Sequence, residues 1–456
     1  MNLPSPQMSN KYHVLLTAVG SSGDVNHFAG IGSILKHRGH RVTLIANGAF
    51  ASLATAAGLN FEEVGSAESY NRIMADPRIA DWRSATRLVV REGLLRKILP
   101  YYERVLKLHE PGCTVLVSNG AALGARIAQD ELELPGITVL VTPALLRSMY
   151  SPPRHTPLPM LRDGRFREKI YSHAFRLADY MMDRALNSDV NGLRLRIGLP
   201  SVKRILSEWW LSPQGVLALW PDWFAPPQRD WPSQVRVLGF PLYDGERNDS
   251  SYHPTDVDVD AALRSNDGLP PILFTAGSFA AHNKVSFDVA SKACQLLGRR
   301  GIFLSKESLD VLQRLPSHMT HINRFVPLST IAPRVAAMVH HGGIGTSSFA
   351  FASGIPQVIT PLAHDMFDNA ERIQRLGVGR SLKVSNTNPT GLAKALSELL
   401  GSPDVRVRCR RLQESLNGGS SLPRVCDFIE EVAQKCLGRG EASVAATNSP
   451  SNSVTA

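Results

Sequence analysis

The stretch HHGGIGTSSFAFASGIPQVITPLAHDMFDN, residues 340–369, is the most informative part of this 456-residue chain. A run of apolar residues typical of a buried strand ends at His340, and three glycines follow within five residues. Glycine lets a ligand approach the backbone more closely than a Cβ atom would allow. The stretch therefore predicts a strand that ends in a glycine turn, with the glycines at Gly342, Gly343 and Gly345.

A helix is expected directly after this turn, with Thr346 as the residue that opens it. The first N–H groups of a helix have no partner within the helix, and its dipole is positive at that end. Such a turn can hold a diphosphate, with His341 and Thr346 as further hydrogen-bond donors. A tight turn with an ordinary helix cap is the structural alternative for the glycines alone.

Short apolar runs alternate with helical periods along the whole chain, which is typical of βαβ units and parallel sheets. The sequence therefore predicts an α/β protein with two doubly wound domains in tandem. The predicted strands are His13–Val19, Arg41–Ala46, Thr114–Ser118, Ile137–Thr142, Pro271–Ala276, Gly301–Ser305, Ala336–His340 and Pro356–Thr360.

Composition changes along the chain predict four segments. Residues 11–240 form an N-terminal Rossmann-like domain, and residues 271–436 form a C-terminal one. A stretch rich in proline and aspartate, residues 241–270, is expected to link them and to contain a short helix. The small and polar residues 437–456 are expected to form a disordered tail.

The overall composition excludes several classes of protein. Hydrophobic residues make up 43% of the chain, as in globular proteins, and no apolar run reaches the roughly 18 residues that a membrane span requires. The N-terminus shows no signal-peptide pattern. The five cysteines form no CxxC pair, which argues against a disulfide framework or a zinc ribbon and favours a cytoplasmic location. The net charge of +10 attracts anions in general. The sequence contains no nucleic-acid-binding motif, so nucleic acid is not expected as a partner.

The segments after the glycine turn follow in a definite order: Gly-Ile-Pro, an apolar strand, Pro-x-x-His-Asp and an Asp-Asn-Ala helix. This order resembles the donor-binding motif of family 1 glycosyltransferases. The opening HVLLTAVGSSGDVNHFAGIGSILKHRGHRVTLIA, residues 13–46, resembles the first strand, loop and helix of the same family. The resemblance implies the GT-B fold, in which two Rossmann-like domains face each other across a cleft. The N-terminal domain would bind the acceptor and the C-terminal domain the nucleotide sugar, with the last helix packing back on the N-terminal domain.

A narrower resemblance concerns residues 212–245, SPQGVLALWPDWFAPPQRDWPSQVRVLGFPLYDG. They are similar to the matching stretch of the rhamnosyltransferases that make mono-rhamnolipid in bacterial rhamnolipid synthesis. That group joins L-rhamnose from dTDP-L-rhamnose to 3-(3-hydroxyalkanoyloxy)alkanoic acid, giving a glycolipid biosurfactant. Two alternatives remain: transfer of glucose from UDP-glucose to a sterol, phenolic or macrolide, and a non-catalytic partner of another transferase.

The resemblance also implies which residues contact the donor. In the family the histidine of the glycine turn, here His341, touches the diphosphate together with Thr346 and the glycine backbone. An aromatic residue before a proline, here Phe325, stacks on the base. The acidic residue at the position of Asp365 holds sugar hydroxyls. The full set of expected donor contacts is Ser278, Phe325, Val326, His341, Gly343, Gly345, Thr346, Asp365 and Asn369.

Two positions depart from the family pattern. Phe349 stands where plant members have a glutamate that holds both ribose hydroxyls, which favours a deoxyribose nucleotide such as dTDP. Met366 stands where glutamine is common, so one hydrogen bond to the sugar is missing. A missing hydrogen bond changes discrimination between sugars by orders of magnitude, which leaves the identity of the sugar open.

The expected general base is Asp24, which follows the first strand and matches an aspartate of many bacterial relatives. Transfer requires a base because the acceptor hydroxyl must lose its proton as it attacks the sugar. A cap for the following helix is the structural alternative for this aspartate. His27, one turn further along, is the second candidate for the base.

No metal or other cofactor is expected, because His341 and a helix N-terminus can stabilise the leaving diphosphate. The expected partners are the nucleotide-sugar donor and a hydrophobic hydroxy-acid or lipid acceptor. Tryptophans concentrated in the N-terminal half could line an acyl pocket, although core packing is the ordinary reason for them. The basic surface and a lipid acceptor would allow peripheral contact with the inner membrane or a partner protein.

Overall fold

A computed structural model describes residues 12–80, 84, 87–153, 167–245, 257–264, 268–275, 285–305, 315–383, 386–416 and 419–447. These residues build two parallel sheets, each with helices packed against it, as the sequence predicts.

The N-terminal sheet has seven parallel strands in the order β3-β2-β1-β4-β5-β6-β7. All five residues of the central strand β1 are buried, and the three in its middle, Val14–Leu16, are apolar, as expected for a strand covered on both faces. In register, His13 of β1 lies between Arg41 of β2 and Thr114 of β4. The strands are β1 His13–Thr17, β2 Arg41–Ala46, β3 Asn60–Glu63, β4 Thr114–Asn119, β5 Gly136–Leu140, β6 Val216–Ala218 and β7 Val235–Val237.

The C-terminal sheet has six parallel strands in the order β10-β9-β8-β11-β12-β13. All four residues of β8 and all four of β11, its two central strands, are buried. The strands are β8 Ile272–Thr275, β9 Gly301–Leu304, β10 Met319–Ile322, β11 Ala337–His340, β12 Gln357–Ile359 and β13 Gly379–Ser381.

Helices connect the strands in both halves. The α-helices are α1 Ser22–His37, α2 Ala51–Ala56, α3 Ala67–Met74, α4 Ile98–Leu108, α5 Leu123–Glu131, α6 Arg167–Arg196, α7 Val257–Leu263, α8 Phe287–Leu297, α9 Leu328–Ile331, α10 Ile344–Ala352, α11 Met366–Arg375, α12 Pro389–Gly401, α13 Pro403–Ser415 and α14 Leu422–Thr447. Short 3-10 segments are Gly48–Phe50, Pro77–Ala80, Leu95–Lys97, Pro143–Leu145 and Ala332–Arg334, and π-helical turns are Val89–Leu94 and Ile205–Trp209. Among the described residues, no helix has the length and hydropathy to span a membrane.

The last helix, α14, packs against α1 of the N-terminal half. Val425 and Ile429 are buried in the same apolar core as the inner face of α1. At the rim of this contact, the Arg38 guanidinium lies 2.8 Å from Asp427 and 2.6 Å from Glu430. The chain therefore crosses back from the C-terminal sheet to the N-terminal one.

The expectation of a disordered tail from residue 437 is wrong for its first part, because α14 continues to Thr447. Residues 440–447 read GEASVAAT, and three alanines favour the helix. Extending a helix also requires no new nucleation. Residues 448–456 lie outside the described residues.

The strand order of each sheet indicates where a ligand would bind. In the N-terminal sheet the order reverses between β1 and β4, and in the C-terminal sheet between β8 and β11. Ligands of open parallel sheets bind beyond the carboxyl ends of the strands at such reversal points. The first turn of α1, which carries Asp24, follows β1, and the glycine turn follows β11, so each lies at the reversal point of its sheet.

Aromatic and polar contacts hold the two halves together at the base of the cleft. The Trp223 and Phe351 rings meet edge to face, with 5.2 Å between their centroids. Arg372 donates a hydrogen bond of 3.3 Å to the carbonyl oxygen of Phe224. These contacts join the two halves of the molecule.

Candidate active site

A cavity of about 1950 Å³ lies between the two sheets and is lined by residues of both. Pockets for a single small ligand usually measure about 300–1,000 Å³. This cavity therefore has room for two substrates side by side.

The glycine turn after β11 is shaped by close contacts that exclude a side chain. Gly342 has a φ of +95°, and a Cβ atom there would lie 2.7 Å from Ile359 Cγ2. A Cβ atom at Gly343 would lie 2.5 Å from His341 Nε2, so the imidazole can fold over the turn only because residue 343 is glycine.

The helix after the turn begins earlier than the sequence analysis predicts. Gly343 is the N-cap of α10, whose first residue is Ile344, so Thr346 lies within the first turn instead of opening the helix. Its extended backbone, with a φ of −61° and a ψ of 139°, is the usual conformation of an N-cap, a position at which glycine is common. Three backbone N–H groups, those of Ile344, Gly345 and Thr346, therefore belong to the first turn above the cleft.

Gly345 differs from the other two glycines of the turn. A Cβ atom at this position would meet no atom of the described residues within 4 Å. Its side-chain direction therefore points into open space at the helix N-terminus, next to Thr346 in the lining of the cavity. Packing of the described residues does not require glycine here, and its lack of a side chain leaves room for a ligand to approach the backbone.

The two adjacent histidines have different surroundings. His340 accepts a hydrogen bond of 3.1 Å from Gly342 N at Nδ1, and its Nε2 lies 2.9 Å from Gln357 Oε1. These two bonds hold His340 within the protein. His341 lines the cavity, and burial, together with the neighbouring His340, lowers its pKa to about 3. His341 is therefore a neutral hydrogen-bonding group at neutral pH.

Asn369 does not line the cavity but connects the groups that do. Its side chain is fully buried, and Nδ2 donates to Gly342 O at 3.0 Å and to Asp365 Oδ2 at 2.9 Å. Thr142 of the N-terminal half lies 3.4 Å from its Oδ1. The structure thus places Asn369, expected as a donor contact, behind the turn as a positioning residue.

Asp24 lies at the N-terminus of α1, and Ser21 is the cap of this helix. Asp24 Oδ2 accepts hydrogen bonds from Ser21 N at 2.8 Å and from Ser21 Oγ at 3.0 Å. The carboxylate lies over Gly20, where a Cβ atom would come 2.6 Å from Asp24 Cγ. Asp24 lines the cavity. Asp24 is thus not the N-cap but the third residue of the helix, and its carboxylate bonds back to the cap residue at the edge of the cavity.

Burial raises the pKa of Asp24 to about 6, and the charge of Asp365 across the cleft adds to the rise. Bonds from Ser21 and the nearby His364 act in the opposite direction. Burial also raises the pKa of Asp365 to about 6. His364, with a left-handed φ of +53°, belongs to the loop that carries Asp365. The cleft thus brings together two carboxyl groups, one from each half, and both titrate near neutral pH.

His27 follows Asp24 by one turn of α1 and also lines the cavity. Burial lowers its pKa to about 3, and a hydrogen bond to the Gly23 backbone opposes this. Its Nε2 atom is buried and has no hydrogen-bond partner among the described residues. His27 can accept a proton only weakly, whereas Asp24 has a pKa close to the working pH of a general base.

The other expected donor residues lie on the C-terminal side of the same cavity. Phe325 is half-buried, Val326 is buried, and both line the cavity. Phe349 and Met366, the two departures from the family pattern, are buried and line it as well. Ser278 lies outside the described residues.

The N-terminal side of the cavity is mainly apolar. Its wall includes Phe50, Tyr70, Met74, Leu94, Tyr101, Phe175, Met181, Met182 and Trp210. Most of the tryptophans pack elsewhere: Trp220, for example, is fully buried in the core. Sequence reasoning missed Lys97 and Arg147, which bring positive charge into this wall. No local motif marks them, because the cavity collects them from separate segments.

Comparison with known proteins bears on the fold and on the kind of enzyme. Residues 301–436 match the family of C-terminal domains described as erythromycin biosynthesis protein CIII-like. O-mycaminosyltylonolide 6-deoxyallosyltransferase of Streptomyces fradiae is 27% identical over 439 residues, which cover 92% of this chain and 97% of the relative.

Two solved structures share the fold. The glycosyltransferase of kitacinnamycin superposes with a TM-score of 0.69 at 21% identity, covering 93% of this chain and 99% of its own. The spinosyn rhamnosyltransferase SpnG, solved with thymidine diphosphate, superposes with a TM-score of 0.63 at 19% identity, covering 91% of this chain and 98% of its own. The expected GT-B architecture is thereby confirmed. The chain is a glycosyltransferase of the GT-B fold, and its C-terminal half is similar to EryCIII-like C-terminal domains.

Proposed function

We propose that the chain transfers L-rhamnose from dTDP-L-rhamnose to the hydroxyl of a lipid hydroxy acid such as 3-(3-hydroxyalkanoyloxy)alkanoic acid. The observation that carries this proposal is that the two sides of the cavity differ in chemistry. A glycine turn suited to a diphosphate faces a carboxyl group with a pKa of about 6, and the acceptor side is mainly apolar.

The donor side supports a dTDP sugar. The first turn of α10, the open space at Gly345 and the neutral His341 would bind the diphosphate. Phe349 lines the cavity and cannot accept a hydrogen bond from a ribose 2′-hydroxyl, a group that dTDP lacks. SpnG, which shares the fold, is a rhamnosyltransferase whose structure was solved with thymidine diphosphate.

The acceptor side supports a flexible apolar molecule. Aromatic rings and methionines on the N-terminal wall offer surface to an acyl chain, and methionine adapts to irregular shapes. Because the cavity measures about 1950 Å³, both the nucleotide sugar and a two-chain acyl acceptor can enter. Residues 212–245, which carry the resemblance to the rhamnolipid enzymes, include Trp223 and Phe224 at the base of the cleft.

In the proposed reaction, Asp24 removes the proton from the acceptor hydroxyl as its oxygen attacks the anomeric carbon. The bond from that carbon to the diphosphate breaks, and the electron pair leaves with dTDP. Attack from the opposite face inverts the configuration, so a β-linked donor gives an α-L-rhamnoside. His341 and the α10 N-terminus stabilise the charge that develops on the leaving oxygen, and the proposal includes no metal.

Asp365, beside the glycine turn, is the group expected to hold sugar hydroxyls. Asn369 fixes one of its oxygens through the bond of 2.9 Å. Met366, next to it, is buried and offers no hydrogen bond in place of the glutamine common in the family.

A donor screen on the purified protein tests the proposal. The protein is incubated with the lipid hydroxy acid and either dTDP-L-rhamnose or UDP-glucose, and the product is identified by its mass. The proposal predicts a product with dTDP-L-rhamnose alone. A product with UDP-glucose alone would overturn the donor assignment, and the sterol, phenolic and macrolide acceptors would then be tested with that donor.

A further inference from the structure

Lys97 brings an ammonium group into the mainly apolar acceptor side of the cavity. It is the last residue of the 3-10 segment Leu95–Lys97 and is half-buried. Its Nζ donates one hydrogen bond, of 3.2 Å, to the carbonyl oxygen of Val64. An ammonium has three N–H donors, so the geometry leaves donors that a ligand in the cavity can use.

The Asn47 amide converges on the same place as Lys97. A Cβ atom built on Gly65 would overlap with Lys97 Nζ and lie 3.2 Å from Asn47 Nδ2, so both nitrogen atoms lie against this glycine. Asn47 Oδ1 accepts from Ala49 N at 3.0 Å, and Nδ2 donates one of its two hydrogens to Ser66 O at 3.3 Å, so one N–H of the amide remains for a ligand. Two N–H donors from separate loops therefore meet at the edge of the cavity.

The charged neighbours distinguish Lys97 from the other cation of this wall. Arg147 forms an ion pair with Asp179 and stacks over the Phe175 ring at 5.6 Å. No described residue forms an ion pair with Lys97. The nearest acids are Glu92, which pairs with Arg96 at 2.6 Å, and Glu63, which is exposed. Burial lowers the pKa of Lys97, and a bound anion would favour its charged form again.

The position of Lys97 relative to Asp24 suggests what the anion is. Lys97 lies over the loops that follow β2 and β3, whereas Asp24 follows β1. Adjacent strands are about 4.8 Å apart, so β1 and β3 are separated by roughly 10 Å. In a 3-(3-hydroxyalkanoyloxy)alkanoic acid about eight bonds join the free hydroxyl oxygen to the carboxylate oxygens, which is also roughly 10 Å when extended.

We propose that Lys97 and Asn47 form a subsite that binds the carboxylate of the acceptor and thereby holds its distal hydroxyl at Asp24. This inference rests on the proposed function for the identity of the acceptor. It adds a specificity rule: the enzyme accepts the free acid and discriminates against its ester, and neutral aglycones such as sterols lack the group that Lys97 binds.

Equilibrium binding of the free acid and of its methyl ester tests the subsite without relying on turnover. Isothermal titration calorimetry is carried out on the wild type, Lys97→Met, Lys97→Arg and Lys107→Met. Lys107 is the matched control because it lies outside the cavity and pairs with Glu62 at 3.2 Å. We expect Lys97→Met to weaken binding of the acid about tenfold or more, the size of a lost charge-assisted hydrogen bond.

The other measurements separate this role from a general effect on folding. Binding of the ester should not change in Lys97→Met, Lys97→Arg should keep most of the preference for the acid, and Lys107→Met should match the wild type. Equal affinity of the wild type for acid and ester, or an equal loss of both in Lys97→Met, would overturn the inference. Preference for the acid without any transfer from dTDP-L-rhamnose would instead overturn the proposed function and leave the subsite standing.

Discussion

The two sides of the cavity are built in different ways. Most of the C-terminal side comes from one stretch, residues 340–369, in which backbone groups and short side chains form the turn. The N-terminal side is assembled from the loop after β1, the segment Leu95–Lys97, helix α6 and other separate pieces. A diphosphate has a fixed shape and charge, so a local turn can bind it. An apolar acceptor is bound by the shape of a wall, and such a wall needs many segments.

The largest effect is expected where the two sides meet. Asp24→Asn keeps the size of the side chain and its ability to accept from Ser21 N, so the fold should be retained. It removes the base, which contributes about 10²–10⁴-fold to such reactions. Steady-state kinetics should therefore show a fall of this size in kcat. The exposed Asp222→Asn is the control, and an unchanged kcat in Asp24→Asn would assign the base to another group.

The pH dependence of kcat/KM tests Asp24 as the base. Asp24 works only when ionised, and its pKa is raised to about 6, so kcat/KM should fall as the pH drops below about 6. His27 has a pKa lowered to about 3 and would keep its basic form down to that pH. A profile that stays flat from pH 8 down to pH 5 would contradict Asp24 as the base.

Substitution of Asn369 tests whether its buried hydrogen bonds stabilise the glycine turn. Asn369→Ala leaves the buried Gly342 carbonyl without its side-chain donor, which should lower the free energy of unfolding by about 1–3 kcal/mol. Denaturant unfolding measures this change. Asn323→Ala, at an exposed position in the same half, should stay within experimental error. Equal stabilities of the two variants would show that the network around Asn369 does not support the turn.

The smallest effect is expected for a single donor contact. His341 is neutral at pH 7, so His341→Ala should remove one neutral hydrogen bond and raise the Kd for dTDP roughly three- to tenfold. Calorimetric titration with dTDP measures this. His37→Ala, exposed on α1, is the control. An unchanged Kd in His341→Ala would place the diphosphate elsewhere in the cavity.

The same contrast explains what the sequence could predict. The glycine turn, His341 and the aspartate after β1 are local patterns, and the alternation of strands and helices indicates two parallel sheets. Burial depends on residues that are distant in the sequence, so a local pattern cannot show it. The sequence therefore predicts Asn369 as a donor contact, whereas the structure buries it behind the turn. Lys97 was missed because it becomes a candidate only when the loops of Asn47 and Gly65 meet it in space. The effect of the Asp365 charge on the pKa of Asp24 likewise arises only when the two sheets face each other.

The central claim is that the C-terminal side holds the nucleotide while Asp24, on the N-terminal side, carries out the proton transfer. Titration of dTDP into Asp24→Asn, with transfer measured on the same sample, tests it most directly. The account predicts a Kd for dTDP equal to that of the wild type, together with a loss of transfer. Loss of dTDP binding, or transfer at the wild-type rate, would contradict it.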